Sequence, residues 1–245
     1  MASVPVSRVI DKLDRLLAEK NFAAAEEHLK YWTADAEACG DMRALLTIVN
    51  EQIGFYRKNG RETEALRCAD KALRLAESME LSETVTMGTT LINAATAYKA
   101  FGHAEKALPL YERAREIYEA ALKPDDRRLG GLYNNMALAL CELGRYSESK
   151  ACFEKALSVM ENVRGGEAEM AISCCNMADL CVLQGENNVR GYIEKAFELL
   201  DTETLPRDSY YAFVCEKCAP SFSHYGYPYC EKELLRRARM IYEGT

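Results

Sequence analysis

The chain has 245 residues and a formal net charge of −7, with 49% hydrophobic and 28% charged residues, which is typical of a folded soluble protein. Because 38 acidic residues outnumber 31 Lys and Arg, broad binding to nucleic acid is not expected. No stretch approaches the roughly 18 to 20 apolar residues of a membrane span, and the N-terminus lacks the apolar block of a secretory signal. We therefore expect a cytoplasmic protein that binds neither nucleic acid nor membrane.

The predicted elements, in chain order, are pairs of amphipathic helices, because apolar residues recur at spacings of three and four. A glycine divides most pairs and suits a tight turn, since the residue that ends a helix often takes a left-handed conformation. These glycines recur at nearly equal intervals, at Gly60, Gly102, Gly144, Gly185 and Gly226. An alanine follows each of them at a nearly constant distance, at Ala72, Ala114, Ala156, Ala196 and Ala238. Repeats are predicted at approximately 4–41, 42–84, 85–126, 127–167, 168–206 and 207–245.

Small and large apolar residues alternate ahead of each glycine, which allows neighbouring helices to approach closely. Several of the ten cysteines fall on these inward positions, and we expect them to be reduced, buried thiols. The inward positions are Leu91, Ala94, Ala95 and Tyr98, then Tyr133, Met136, Ala137 and Leu140, then Cys174, Met177, Ala178 and Cys181, and last Cys215, Cys218, Ala219 and Phe222.

The repeat resembles the tetratricopeptide repeat, which has a small residue and an aromatic in its first helix, glycine at the turn, then alanine, aromatic and alanine. One copy carries this pattern as Ala95, Tyr98, Gly102, Ala107, Tyr111 and Ala114. The period of about 42 residues is longer than the family's usual 34 and is similar to that of kinesin light chains and of peptide-sensing regulators in Gram-positive bacteria. In the first copy Lys20 takes the glycine place.

The resemblance implies an all-α fold, a right-handed superhelical α-solenoid of about six antiparallel helix hairpins forming one domain over residues 1–245. Its first helices would line a concave groove that binds a protein or an extended peptide. Asn93, Asn135 and Asn176 occupy a groove-facing place in the family, where side-chain amides clamp a peptide backbone. The alternative is that these amides bond to a neighbouring helix or face water.

The resemblance predicts further groove residues, basic toward one end and acidic toward the other. An extended ligand would then be held in one polarity, unless the charges only form a mixed solvated face. The early group is Asn50, Arg57, Lys58, Thr89, Thr96, Lys99 and His103, and the later group is Asn134, Leu138, Glu142, Asp179 and Glu186.

The favoured function is a non-catalytic scaffold that holds a peptide or a partner's helix, without a cofactor or metal. No nucleophile or metal motif surrounds the three histidines, so an enzyme is not expected. A peptide-sensing signalling receptor is the alternative. A zinc protein is a further one, because Cys215, Cys218, His224 and Cys230 form a zinc-like set. The last helix is expected either to expose one face to solvent or to pack against a second copy of the chain in a homodimer.

Overall fold

A computed structural model describes residues 3–244. The described residues form twelve α-helices, and no strand occurs among them. The helices are α1 Val6–Ala18, α2 Phe22–Cys39, α3 Met42–Lys58, α4 Glu62–Ser78, α5 Val85–Ala100, α6 Ala104–Ala121, α7 Arg127–Glu142, α8 Tyr146–Glu161, α9 Glu167–Gln184, α10 Val189–Asp201, α11 Ser209–His224 and α12 Pro228–Glu243. They pair into six hairpins, which confirms the predicted all-α repeat fold.

The turn inside each hairpin has the same backbone geometry. The five predicted glycines have φ between 69° and 85°, and Lys20 has φ 55° in the first hairpin. In the second hairpin the Arg61 amide donates to the Tyr56 carbonyl at 2.9 Å, and the Gly60 amide donates to the Arg57 carbonyl at 3.2 Å. This pair of bonds is the Schellman motif that closes a helix end.

Contacts divide the chain into two compact units, one up to Ala121 and one from Leu122 onward. Unit 1 contains α1 to α6, and its first helices α1, α3 and α5 contact one another in order. Unit 2 contains α7 to α12, and its first helices α7, α9 and α11 do the same. Each second helix also packs on the first helix of the next hairpin in its unit. The assignment of residues 1–245 to one domain stays a prediction.

Small residues bring the two helices of a hairpin together, as the alternation predicts. A methyl group on Gly88 would lie 2.5 Å from the Tyr118 ring, and one on Gly130 would lie 2.4 Å from Met160 Cε. Every predicted inward residue is buried except Tyr98, which is half-buried and donates its hydroxyl to Asp70 at 2.6 Å.

All ten cysteines are free thiols. Burial raises the pKa of the Cys174 thiol to about 12, so this thiol is protonated and packs as an apolar group. None of the helices between residues 3 and 244 is long and apolar enough to cross a membrane.

Candidate functional site

The first helices α3, α5, α7, α9 and α11 each have one solvent-facing side. We number their positions by the distance before the turn glycine. Position −14 faces the second helix of the same hairpin, as the contacts of Gly88 and Gly130 show. At 100° per residue, positions −13, −6 and −2 lie together about a quarter-turn away. We call this side the open face, and fourteen of its fifteen residues in α3, α5, α7, α9 and α11 are half-buried or exposed.

In unit 1, two amides beside the open face bond to each other between neighbouring hairpins. Asn93 on α5 donates its Nδ2 to Asn50 Oδ1 on α3 at 2.9 Å. Asn50 donates its own Nδ2 to the Thr90 hydroxyl at 3.2 Å and to the Leu46 carbonyl at 3.0 Å. Asn50 is at position −10, and Thr90 and Asn93 are at positions −12 and −9 of the next first helix.

Unit 2 repeats this arrangement between α7 and α9. Asn176 on α9 donates its Nδ2 to Asn134 Oδ1 on α7 at 3.0 Å, and the Ser173 hydroxyl donates to the same oxygen at 3.1 Å. Both amide pairs are half-buried. These bonds correspond to the alternative that the sequence left open, in which the amides join neighbouring helices.

The amide pairs keep unused hydrogen-bonding capacity. A side-chain amide has two N–H donors and an oxygen with two lone pairs. Asn93 and Asn176 each use one N–H in the pairs, and within residues 3–244 their Oδ1 atoms accept no side-chain bond. Asn135, also at position −9, is half-buried and makes no side-chain hydrogen bond within that range.

Among the other predicted groove residues of unit 1, Lys58, Thr89 and Thr96 lie on the open face, whereas Arg57 and Lys99 are at position −3 and His103 follows the turn glycine. The Thr96 hydroxyl is 3.0 Å from the Tyr111 hydroxyl, and Thr89 is 2.7 Å from the Tyr118 hydroxyl. His103 Nε2 is 2.9 Å from Glu62 Oε1. The cationic side chains of Arg57, Lys58 and Lys99 are exposed or half-buried.

In unit 2 the predicted groove residues are largely held by neighbours. Asp179 accepts a hydrogen bond from the Tyr225 hydroxyl at 2.6 Å, and Glu186 pairs with Lys150 at 2.8 Å. Leu138 packs against the cluster that contains Phe153. Glu142 is exposed at the end of α7.

The Cys/His set near the C-terminus does not form a cluster. Cys215 and Cys218 are 0% and 1% exposed and belong to the core formed by α9, α10, α11 and α12, whereas His224 is exposed. Within residues 3–244, no three His, Cys, Asp or Glu side chains are grouped so as to hold a metal ion. The structure therefore does not bring together the residues proposed as zinc ligands.

Sequence reasoning missed two features of the first helices. One is the hydroxyl that bonds to each amide pair, from Thr90 in unit 1 and from Ser173 in unit 2. Both residues are at position −12, so the recurrence of a hydroxyl at this position was a signal in the sequence. The other is an exposed aromatic pair on α11, Tyr210 and Phe213, with ring centroids 6.2 Å apart. The spacing of the repeat places Phe213 at position −13 of the open face.

Comparisons with known proteins agree with this repeat architecture. The sequence is 29% identical over 137 residues to the photosystem I assembly protein Ycf3 of Prochlorococcus marinus, covering 53% of this chain and 75% of Ycf3. The fold is similar to the TPR-like repeats described as those of a kinesin light chain from Podospora anserina, with a TM-score of 0.54, 20% identity and coverage of 80% and 94%. It is also similar to NprR in complex with its cognate peptide NprX, with a TM-score of 0.61, 16% identity and coverage of 97% and 68%.

The two structural likenesses, at 20% and 16% identity, show the fold alone. The sequence itself carries the family. The model of the tetratricopeptide repeat family matches residues 44–120 and 128–188, more than half of the chain. Proteins of this fold are typically scaffolds for protein interaction rather than catalysts. The chain belongs to the tetratricopeptide repeat family.

Proposed function

We propose that this protein is a non-catalytic scaffold that binds an extended peptide along the open face of the first helices of unit 2. The observation that carries the proposal is the pair of amides at position −9 in this unit, Asn135 and Asn176, and Asn93 is their counterpart in unit 1. Each keeps donors and an acceptor that a peptide backbone can use, and none of them distinguishes between side chains. The similarity to NprR, whose structure contains a bound peptide, supports the same conclusion.

Peptide selection followed by amide substitution tests the proposal. A library of displayed twelve-residue peptides is selected on the full chain, and a selected peptide is titrated by fluorescence anisotropy. We expect Asn135→Ala and Asn176→Ala each to weaken binding by about 3- to 10-fold, because a hydrogen bond contributes about 0.5–1.5 kcal/mol. Asn187→Ala, exposed in the turn between α9 and α10, is the matched control and should bind as the wild type does.

Thermal melting separates a role in binding from a role in folding. Asn135 has no side-chain bond within residues 3–244, so Asn135→Ala should melt with the wild type and still bind the peptide more weakly. Equal affinity of wild type, Asn135→Ala and Asn176→Ala for every selected peptide would remove the amides from the mechanism.

A second candidate is a peptide-sensing receptor, which the likeness to NprR favours. A receptor changes shape when it binds its signal, whereas a scaffold need not. Small-angle X-ray scattering with and without a selected peptide distinguishes them, because only the receptor is expected to become more compact.

We further propose a homodimer formed through α12. This helix exposes Tyr229 by 79%, Tyr242 by 53%, and Leu235 and Met240 by 40% each. Burying these side chains against a second copy would remove apolar surface from water. Light scattering should give twice the chain mass for the wild type and a monomer for Leu235→Glu.

We propose that the protein is cytoplasmic, because ten free thiols suit a reducing compartment.

A further inference from the structure

The aromatic pair on α11 is an exposed apolar feature in unit 2 that the amides do not explain. Tyr210 is 40% and Phe213 is 48% exposed, and their rings stack with an angle of 29° between the planes. Single exposed aromatics are common on protein surfaces. Two stacked rings, one of them on the open face, form a defined patch.

Glu169 on the neighbouring helix α9 lies beside Tyr210. Burial and this carboxylate raise the pKa of the Tyr210 hydroxyl. Glu169 is itself paired with Arg127 on α7 at 3.3 Å. Side chains from α7, α9 and α11 therefore lie close together at the Tyr210 hydroxyl.

Position −13 of the open face carries polar side chains in unit 1 and none in unit 2. Phe213 shares position −13 with Ile172 on α9 and Gly131 on α7. Ile172 is only 8% exposed, whereas the residues at this position in unit 1, Thr47 and Thr89, are exposed. A methyl group added at Gly131 would have no atom within 4 Å, so the surface at position −13 of α7 is unobstructed.

The size of the patch restricts what can cover it. A Tyr or Phe side chain presents about 150–250 Å² when fully accessible, so two rings less than half exposed offer on the order of 200 Å². A stable interface between two proteins buries about 800 Å² on each partner. The patch is therefore far too small to hold a second copy by itself and is suited to one large side chain.

Resting on the proposed function, we propose that Phe213, Tyr210 and Ile172 form a specificity subsite for one large apolar side chain of the bound peptide. Asn176 lies on α9 four residues after Ile172, about 6 Å along the helix axis. A main chain held by this amide can place one side chain over the aromatic pair. The amides would then supply affinity without selecting a sequence, and the aromatic pair would select the residue beside them.

The subsite is tested by selecting displayed twelve-residue peptides on three full-length proteins: wild type, Phe213→Ala and Tyr31→Ala. Tyr31 on α2 is 63% exposed and serves as the matched aromatic control, because it lies on neither proposed surface. Peptides selected on wild type and on Tyr31→Ala should share one position occupied by Leu, Ile, Met or Phe. Peptides selected on Phe213→Ala should lack that preference.

A double-mutant cycle then measures the contact directly. Replacing the shared apolar residue of a selected peptide by Ala, or Phe213 by Ala, should each weaken binding by roughly 10-fold, since burial of one large apolar side chain is lost. Both changes together should weaken binding by the same 10-fold rather than 100-fold. Phe213→Leu should bind within about 3-fold of the wild type, because the subsite keeps an apolar side chain.

The outcomes separate this inference from the function on which it rests. Peptides that bind through Asn135 and Asn176 but show no apolar preference, or that keep it on Phe213→Ala, overturn the subsite and leave the scaffold intact. A wild-type protein that enriches no peptide overturns both. If Phe213→Ala instead changes the mass measured by light scattering, a second copy covers the patch and the subsite is wrong.

Discussion

The bond between Asn50 and Asn93 predicts a measurable coupling between two hairpins of unit 1. Asn93→Ala removes one hydrogen bond and should lower the free energy of unfolding by about 1 kcal/mol. Asn50→Ala removes that bond and the bonds to Thr90 and Leu46, so it should cost about 3 kcal/mol. The double variant should cost about 3 kcal/mol, rather than the additive value of about 4 kcal/mol, which leaves a coupling of about 1 kcal/mol.

The assay is urea unfolding followed by far-ultraviolet circular dichroism. Repeat proteins can lose two-state behaviour, so the slope of the urea dependence has to agree among the four proteins before free energies are compared. The equivalent cycle on Asn134 and Asn176 should give a similar coupling in unit 2. Additive costs within about 0.3 kcal/mol in both cycles would mean that the amides do not stabilise each other, and the structural reasoning would be wrong.

Three further predictions concern packing, turn geometry and charge. Gly88→Ala should destabilise by about 1–3 kcal/mol, because the new methyl group meets the buried Tyr118 ring at 2.5 Å. Gly144→Ala should cost about 1–2 kcal/mol, because φ is 70° there and side chains resist that conformation. Arg236 and Arg237 hold the pKa of Glu233 down to about 2, against 4.5 for an ordinary Glu. The stability that this ion pair provides, about 0.5–1 kcal/mol, is therefore present above pH 4.5 and is lost as the pH falls toward 2.

Each of these three predictions has a control in the same chain. Gly54→Ala lies in a helix with nothing within 4 Å, so in urea unfolding it should stabilise rather than destabilise. Lys20→Gly relieves a φ of 55° and should raise the melting temperature, opposite to Gly144→Ala. Glu233→Gln should be less stable than wild type at neutral pH, and this difference should shrink as the pH falls from 4.5 toward 2. A difference that does not shrink over this range would mean that its cause is not the charge of Glu233.

The sequence determined the repeat and its turns, because both depend on local chemistry. Helical periodicity needs only apolar residues three and four apart, and the left-handed turn needs only a residue that accepts positive φ. Gly60, Gly102, Gly144, Gly185 and Gly226 could therefore be placed at the turns before any coordinates, and even the substitute, Lys20, adopts the same φ. The position of the amides ahead of each glycine followed from the same count.

Tertiary structure decided what those amides do. Asn93 and Asn135 occupy the same position in their repeats, yet Asn93 bonds to Asn50 whereas Asn135 makes no side-chain bond within residues 3–244. The stacking of Tyr210 on Phe213, beside Glu169 of another hairpin, was equally absent from the repeat pattern. Such contacts depend on the distance and rotation between neighbouring helices. Those two quantities are set by how small and large side chains pack in the whole core, and a pattern along one helix does not contain them.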